Sequence, residues 1–276
     1  MLAPAAPLRP AVPADAIVDR IRRGGAALIA LSGGVDSGLV ASLAYEALGD
    51  GALAVTLTGA AVGADEIERA REVARTIGIA HRTVGVDPLA RSEYRANPSN
   101  RCYFCRSVET EALRSFGAPR GIRQYLDGVH VDDLGDGRPG LRAMDEAGFR
   151  HPLLDAGLGK REVRALARAR GLPNWDRPSD ACLASRVAHG EVLSAALLDR
   201  IDRSERAVRA LGFRRVRVRV SAAGARIEVD PDEVDRLRDE PCRSQAIDRV
   251  RAFGFEPVAI DPAGYRGPDA RGPGAR

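Results

Sequence analysis

Ala26-Ala27-Leu28-Ile29-Ala30-Leu31-Ser32-Gly33-Gly34-Val35-Asp36-Ser37 is the stretch from which the fold can be read. An apolar run of strand character passes directly into paired glycines flanked by serines. From Gly38 to Leu48 the apolar residues Leu39, Val40, Leu43 and Leu48 then recur at helical spacing. Strand, small-residue loop and helix together aim backbone N–H groups and a helix N-terminus at one place, which makes an anion site. Glycine lets the chain approach a phosphate closely, and serine hydroxyls add donors without bulk. No lysine follows the glycines, so the loop is not the G-x-x-x-x-G-K-[ST] type that grips β and γ phosphates. The competing reading is a plain glycine-rich turn with a serine cap. Asp36 suits either a metal that accompanies a nucleotide or the cap of the following helix.

Working outward, helical patterns at Ala14–Arg23, Ala64–Ile77, Phe104–Phe116 and Lys160–Ala169 alternate with strand patterns at Ala52–Leu57, Arg82–Val86 and Gln124–Val131. Such alternation predicts parallel βα units in a doubly wound α/β sheet, with ligands beyond the carboxyl ends of the strands. Beyond Gly171-Leu172-Pro173 the pattern changes. A long helix from about Ser194 to Leu211 precedes strands at Val216–Val220 and Ala225–Val229, helices at Asp232–Arg238 and Arg243–Phe253, and a last strand near Pro257–Ile260. The expected organisation is a leader over 1–13, an α/β domain over 14–172, a smaller α+β domain over 173–262 and a tail over 263–276. Leader and tail are Ala/Pro-rich and Gly/Pro/Arg-rich and read as disordered, the leader lacking the pattern of a signal peptide. No apolar window reaches the length of a membrane span.

The net charge is +4 with basic and acidic residues interspersed, so the charge balance does not imply a nucleic-acid partner. Lys160 is the only lysine among 42 basic residues, which marks a place suited to a compact ammonium or arises by chance. Asparagine occurs only at 97, 100 and 174. Cysteines at 102, 105, 182 and 242 make no disulfide framework in a chain this long and read as reduced thiols of a cytoplasmic protein.

Several segments carry candidate chemistry. Asp127-Gly128-Val129-His130-Val131-Asp132-Asp133 ends a strand and reads as a border of the nucleotide pocket or as a solvated acidic turn. Gly135-Asp136-Gly137-Arg138-Pro139-Gly140 matches the dinucleotide pattern G-x-G-x-x-G, but Asp132-Asp133-Leu134 separates it from the strand and Pro139 interrupts it, so it reads as a loop. Cys102 and Cys105 form a C-x-x-C pair without the further ligands a structural zinc site needs. A helix start with partly buried thiols is the simpler reading, with Arg101 and Arg106 available for phosphate. Cys182 lies in the loop Asn174-Trp175-Asp176-Arg177-Pro178-Ser179-Asp180-Ala181-Cys182-Leu183-Ala184-Ser185-Arg186, which suits a thiol presented to a pocket beside guanidinium groups, against a small buried cysteine. Arg217 and Arg219 alternate on one face of a strand with Glu228 on the next, either an anion surface or an ordinary charged sheet face.

Ser32–Ser37 resembles the PP-loop signature S-G-G-x-D-S of ATP pyrophosphatases, which cut ATP between its α and β phosphates. Taken with Asn97–Arg106, Asp127–Arg142, Gly157–Arg164, Pro178–Arg186 and the Val-Arg-Val-Arg strand, the chain from about Ala14 to Ile260 is similar to the LarE family of ATP-dependent sacrificial sulfur transferases. That family builds a nickel-pincer nucleotide. The resemblance implies that a carboxylate of a pyridinium mononucleotide is adenylated and then converted to a thiocarboxylate with a cysteine sulfur. It implies ATP and Mg²⁺, with ATP and pyrophosphate bound by Ser32, Gly33, Gly34, Asp36, Ser37, Gly128, Asp133 and Lys160, and catalysis by Asp36 and Cys182 as the sulfur donor. Arg217 and Arg219 would take the substrate phosphate, and Glu205 and Glu228 a metal. Some relatives use a [4Fe-4S] cluster, for which Cys102, Cys105 and Cys182 would be the ligands. Val187-Ala188-His189-Gly190 departs from the family's usual Ile-Pro-Tyr-Gly after the donor segment. The expected partners are the small substrate and further copies of this chain in a homo-oligomer, without nucleic acid or membrane. The rival expectations are a PP-loop tRNA thiolase, an amide-forming synthetase and a non-catalytic adenine-nucleotide sensor.

Overall fold

A computed structural model describes residues 14–134, 139–177 and 181–266. The expected leader, most of the tail, Gly135–Arg138 of the G-x-G-x-x-G run and Pro178–Asp180 of the donor segment lie outside the described residues. In chain order the main elements are α1 (Ala14–Gly24), β1 (Ala27–Ala30), α2 (Val35–Leu48), β2 (Ala52–Thr58), α3 (Ala64–Ile77), β3 (Ala80–Gly85), α4 (Ser92–Arg95), α5 (Arg101–Gly117) and β4 (Gln124–Leu126). They continue with α6 (Pro139–Glu146), α7 (Pro152–Asp155), α8 (Lys160–Ala169), α9 (Ala195–Arg209), β5 (Val216–Ser221), β6 (Gly224–Val229), α10 (Val234–Arg238), α11 (Cys242–Arg251) and β7 (Val258–Ile260). The described residues fall into two units, drawn from the spans Met1–Arg91 plus Asn100–Asp180 and Ser92–Ser99 plus Ala181–Arg276.

In the first unit β1 pairs in parallel with both β2 and β4, and β3 adds in parallel to β2, giving the order β3-β2-β1-β4. This is the parallel α/β sheet that the alternating pattern predicts. Because side chains alternate across a strand, β1 supplies both faces: Ala27 and Ile29 enter a core with α1, α2, α3 and α8, whereas Leu28 enters a second core with Leu113, Tyr125, Met144 and Phe149. Gln124 ties α1 to β4, its Nε2 donating to the carbonyls of Ile21 and Gly25 at 2.7 Å each.

Two local readings differ from the sequence expectation. The strand predicted to run through Val131 stops at Leu126, because Asp127 Oδ1 accepts a bond from Val129 N at 3.0 Å and turns the chain. The short helices α4, α6 and α7 carry too few residues to show a period, and two of them start at proline.

The second unit holds an antiparallel β5–β6 hairpin with β7 parallel to β6, packed with α9, α10 and α11, which is the α+β arrangement expected. Its interior is built from Leu198, Ile201 and Val208 of α9, Val216 and Val218 of β5, Ile227 and Val229 of β6, and Val250 of α11, all fully buried. The segment 92–99 is stitched into this unit. Asn97, buried and at φ 51°, donates through Nδ2 to the Ala188 carbonyl at 2.8 Å and accepts from Gly190 N at 3.0 Å.

Candidate functional site

In the first unit, β1 ends in the loop Ser32–Gly34 and α2 starts at Val35 with Gly34 as its N-cap. The loop bonds to itself. Ser37 Oγ accepts from Ser32 N at 3.2 Å and lies 3.1 Å from Ser32 Oγ, which in turn accepts from Gly34 N at 3.3 Å. Gly33 has φ 79° and packs on α3 so closely that a Cβ would sit 2.9 Å from both Ala70 N and the Glu66 carbonyl oxygen. A tight turn of this kind needs glycine for both its φ and its packing. Thr56 of β2 donates to the Leu31 carbonyl at 2.7 Å and fixes the strand end from which the loop departs.

Around this loop the structure gathers side chains from three distant segments of the unit. Lys160, first residue of α8, donates through Nζ to Asp36 Oδ1 at 2.7 Å and Oδ2 at 2.6 Å. His130 Nε2 lies 3.5 Å from Asp36 Oδ1 and 3.5 Å from Asp133 Oδ2, and its ring is buried with Nδ1 unpartnered. Gly128 approaches the start of α2 so closely that a Cβ would stand 2.5 Å from Ser37 N. Asn174 Nδ2 donates to the Gly33 carbonyl at 2.9 Å, while its buried Oδ1 finds no partner. Ser32, Gly33, Gly34, Asp36, Ser37, Gly128, Asp133 and Lys160 therefore all lie at this one corner, beyond the carboxyl ends of β1 and β4. His130 and Asn174 join them. Asn174 stood out in the sequence for the scarcity of its type and as the head of the cysteine loop, and His130 only for its place among the acidic residues after β4.

Behind the corner, His151 is held between two carboxylates, with Nδ1 2.7 Å from Asp127 Oδ1 and Nε2 2.9 Å from Asp145 Oδ1. Burial works against the charge on this ring, but hydrogen bonds and attraction from Asp127 and Asp145 outweigh it and raise the pKa to about 9.

Cys102 and Cys105 occupy the first turns of α5. Cys102 is exposed, and the Cys105 thiol donates to Glu109 Oε1 at 3.2 Å. Arg106 pairs with Glu109 at 2.6 Å and Arg101 is buried. Among the described residues no group of three or more His, Cys, Asp or Glu side chains is placed to hold a metal ion.

In the second unit, exposed Cys182 leads into a single 3₁₀ turn, Leu183–Arg186. Arg186 is buried and gives Nε and Nη2 to the two oxygens of Glu205 at 2.8 and 3.0 Å. Its Nη1 donates to the carbonyls of Ala181 and Cys182, the latter at 3.0 Å, and to Ser185 Oγ at 3.2 Å. Glu205 also accepts from Val218 N at 3.0 Å. Arg219 donates through Nε to Glu228 at 3.1 Å and through Nη1 to the Ser185 carbonyl at 2.7 Å. Arg217 is buried, its guanidinium 5.5 Å from the Tyr265 ring centroid and 4.0 Å from Glu205. The four side chains expected to hold substrate phosphate or metal are thus engaged with neighbouring protein groups in this structure. Sequence reading named Arg186 only as a nearby guanidinium.

The asparagine synthase family profile matches residues 13–95, which contain β1, the loop and α2. An uncharacterised protein of Synechocystis is 41% identical over 240 residues, covering 87% of this chain and 90% of that one. The pyridinium-3,5-bisthiocarboxylic acid mononucleotide synthase of Lactiplantibacillus plantarum is 32% identical over 240 residues, 86% of each chain. A tRNA-specific 2-thiouridylase, MnmA, of Xanthobacter autotrophicus is 32% identical across 60% of this chain and 53% of its own length. With a PP-loop corner in its first unit and similarity of this extent to the synthase, the chain belongs to the LarE-type family of ATP-dependent sulfur transferases within the PP-loop ATP pyrophosphatases.

Proposed function

We propose that the chain adenylates a carboxylate of a pyridinium mononucleotide and replaces a carboxylate oxygen with the sulfur of Cys182. The observation that carries this reading is the similarity to the synthase across 86% of both chains, in a chain that holds both a phosphate loop after β1 and an exposed cysteine at 182. The glycine loop, the Ser32 and Ser37 hydroxyls and the N-terminus of α2 suit ATP phosphates. Asp36 and Asp133 suit Mg²⁺, which takes one or two carboxylates together with phosphate oxygens and water. When bound, the ion neutralises phosphate charge. Lys160 fixes the Asp36 carboxylate by bonding both of its oxygens.

In the proposed sequence a substrate carboxylate oxygen attacks the α phosphorus of ATP, and pyrophosphate leaves. The Cys182 thiolate then attacks the acyl carbon, AMP leaves, and a thioester forms. Loss of the Cys182 Cα proton and cleavage of its Cβ–S bond release the thiocarboxylate and leave dehydroalanine in the chain. Proposed site, substrate and sulfur source are tested together by incubating the protein with ATP, Mg²⁺ and the pyridinium biscarboxylic acid mononucleotide. The expected result is pyrophosphate release with loss of one H₂S from the intact chain for each sulfur delivered. An unchanged protein mass despite thiocarboxylate formation would overturn Cys182 as the source, and pyrophosphate release stimulated by tRNA instead would overturn the substrate.

A further inference from the structure

We infer that Arg186 is a catalytic residue of the sulfur-releasing step, acting on the backbone carbonyl of Cys182 itself. The inference rests on the reading of Cys182 as sulfur donor and concerns how its Cβ–S bond is broken.

Cleavage of that bond by elimination needs removal of the Cα proton of Cys182. The electron pair left on Cα is delocalised into the adjacent C=O, so negative charge develops on the Cys182 carbonyl oxygen. The pair then forms the Cα=Cβ double bond, the Cβ–S pair departs on sulfur as the thiocarboxylate, and the proton passes to solvent. No electrons are gained or lost overall. Donors already aimed at an oxygen on which charge develops lower the barrier because they need no reorganisation during the step.

Arg186 meets that description. Its Nη1 lies 3.0 Å from the Cys182 carbonyl oxygen and also bonds the Ala181 carbonyl. The side chain is only 4% exposed, so its charge acts where water screens little. Orientation comes from Glu205, itself 3% exposed, which takes Nε and Nη2 in a bidentate pair and so turns Nη1 toward the turn. Glu205 is fixed in turn by Val218 N on β5. Arg219, paired with Glu228, holds the Ser185 carbonyl at 2.7 Å and steadies the other end of the same turn. Here a buried guanidinium is pinned by a buried carboxylate and directed at the oxygen conjugated with the carbon that must lose a proton. Glu205 is then a positioning residue.

The test follows intact full-length protein by mass while it reacts with ATP, Mg²⁺ and the pyridinium mononucleotide. In Arg186→Met, adenylation and thioester formation should continue while elimination slows about 100-fold, the size associated with removal of one oxyanion donor. A protein species carrying the acyl group on Cys182 should therefore accumulate in the variant, and should not in the wild type. Glu205→Gln should show the same accumulation to a smaller degree, and it keeps the test open if loss of the buried guanidinium prevents folding. Dehydroalanine formation at the wild-type rate in a folded variant, or pyrophosphate release and sulfur loss falling together without the adduct, would overturn the inference. Thiocarboxylate formation by Cys182→Ser protein would instead overturn the donor reading beneath it.

Discussion

Lys160 shows how much one residue can announce. In a chain whose basic residues are otherwise arginine, the single ammonium is placed on both oxygens of Asp36, where a planar fork would not replace a compact donor. Lys160→Met should lower ATP-dependent pyrophosphate release by about tenfold to a hundredfold, the effect expected from losing a charge-assisted bond, and Lys160→Arg should not restore it. A pyrophosphate assay across ATP concentrations checks both. Asn174 was legible as a rare residue type at the head of the cysteine loop, not as a partner of Gly33. Its link to Gly33 spans 141 positions, and local pattern holds no record of a contact so distant. Asn174→Ala strands the Gly33 carbonyl without its donor and should cost about 1–3 kcal/mol of stability, read from denaturant unfolding. His130 and Arg186 were not singled out in the sequence because the contacts that set them apart, His130 with Asp36 and Arg186 with Glu205, lie on other elements, and an isolated histidine or arginine has no spacing to reveal them.

At the scale of elements, the strand–loop–helix at the start was readable because three independent signals coincide: an apolar run, small residues and a helical period. Most later helices and strands were readable on period alone. β4 was overextended because Val129 and Val131 continue an apolar alternation that the Asp127 side chain interrupts by bonding Val129 N. The loop depends on close approach as much as on donors. Gly33→Ala would force a Cβ within 2.9 Å of α3 backbone atoms and a left-handed φ on a side chain. It should cost on the order of 2–4 kcal/mol and abolish ATP binding, checked by thermal unfolding and nucleotide titration. Gly128→Ala acts from the opposite side, pressing on Ser37 N, and should impair nucleotide binding even where the protein folds.

At the scale of the whole molecule, His151 makes stability depend on alkaline pH. Its folded pKa of about 9 exceeds the ordinary 6.5, so the folded state holds its proton more tightly than the unfolded chain. The contribution is therefore complete below about pH 6.5 and is lost as pH rises through about 9, amounting to roughly 1–3 kcal/mol. Melting temperature should fall across that window in the wild type and stay flatter in His151→Gln, as pH-resolved calorimetry would show.

The borrowed segment Ser92–Ser99 has a consequence for inheritance. Because Asn97 closes the turn at 187–190 from within the other unit's stretch of chain, the span 181–276 is not a cassette. A single recombination crossover near codon 180 would carry the cysteine turn away from the asparagine that braces it. Lineages that shuffle this gene should therefore exchange it whole or not at all, and chimaeras joined there should regain solubility only when both pieces come from one parent.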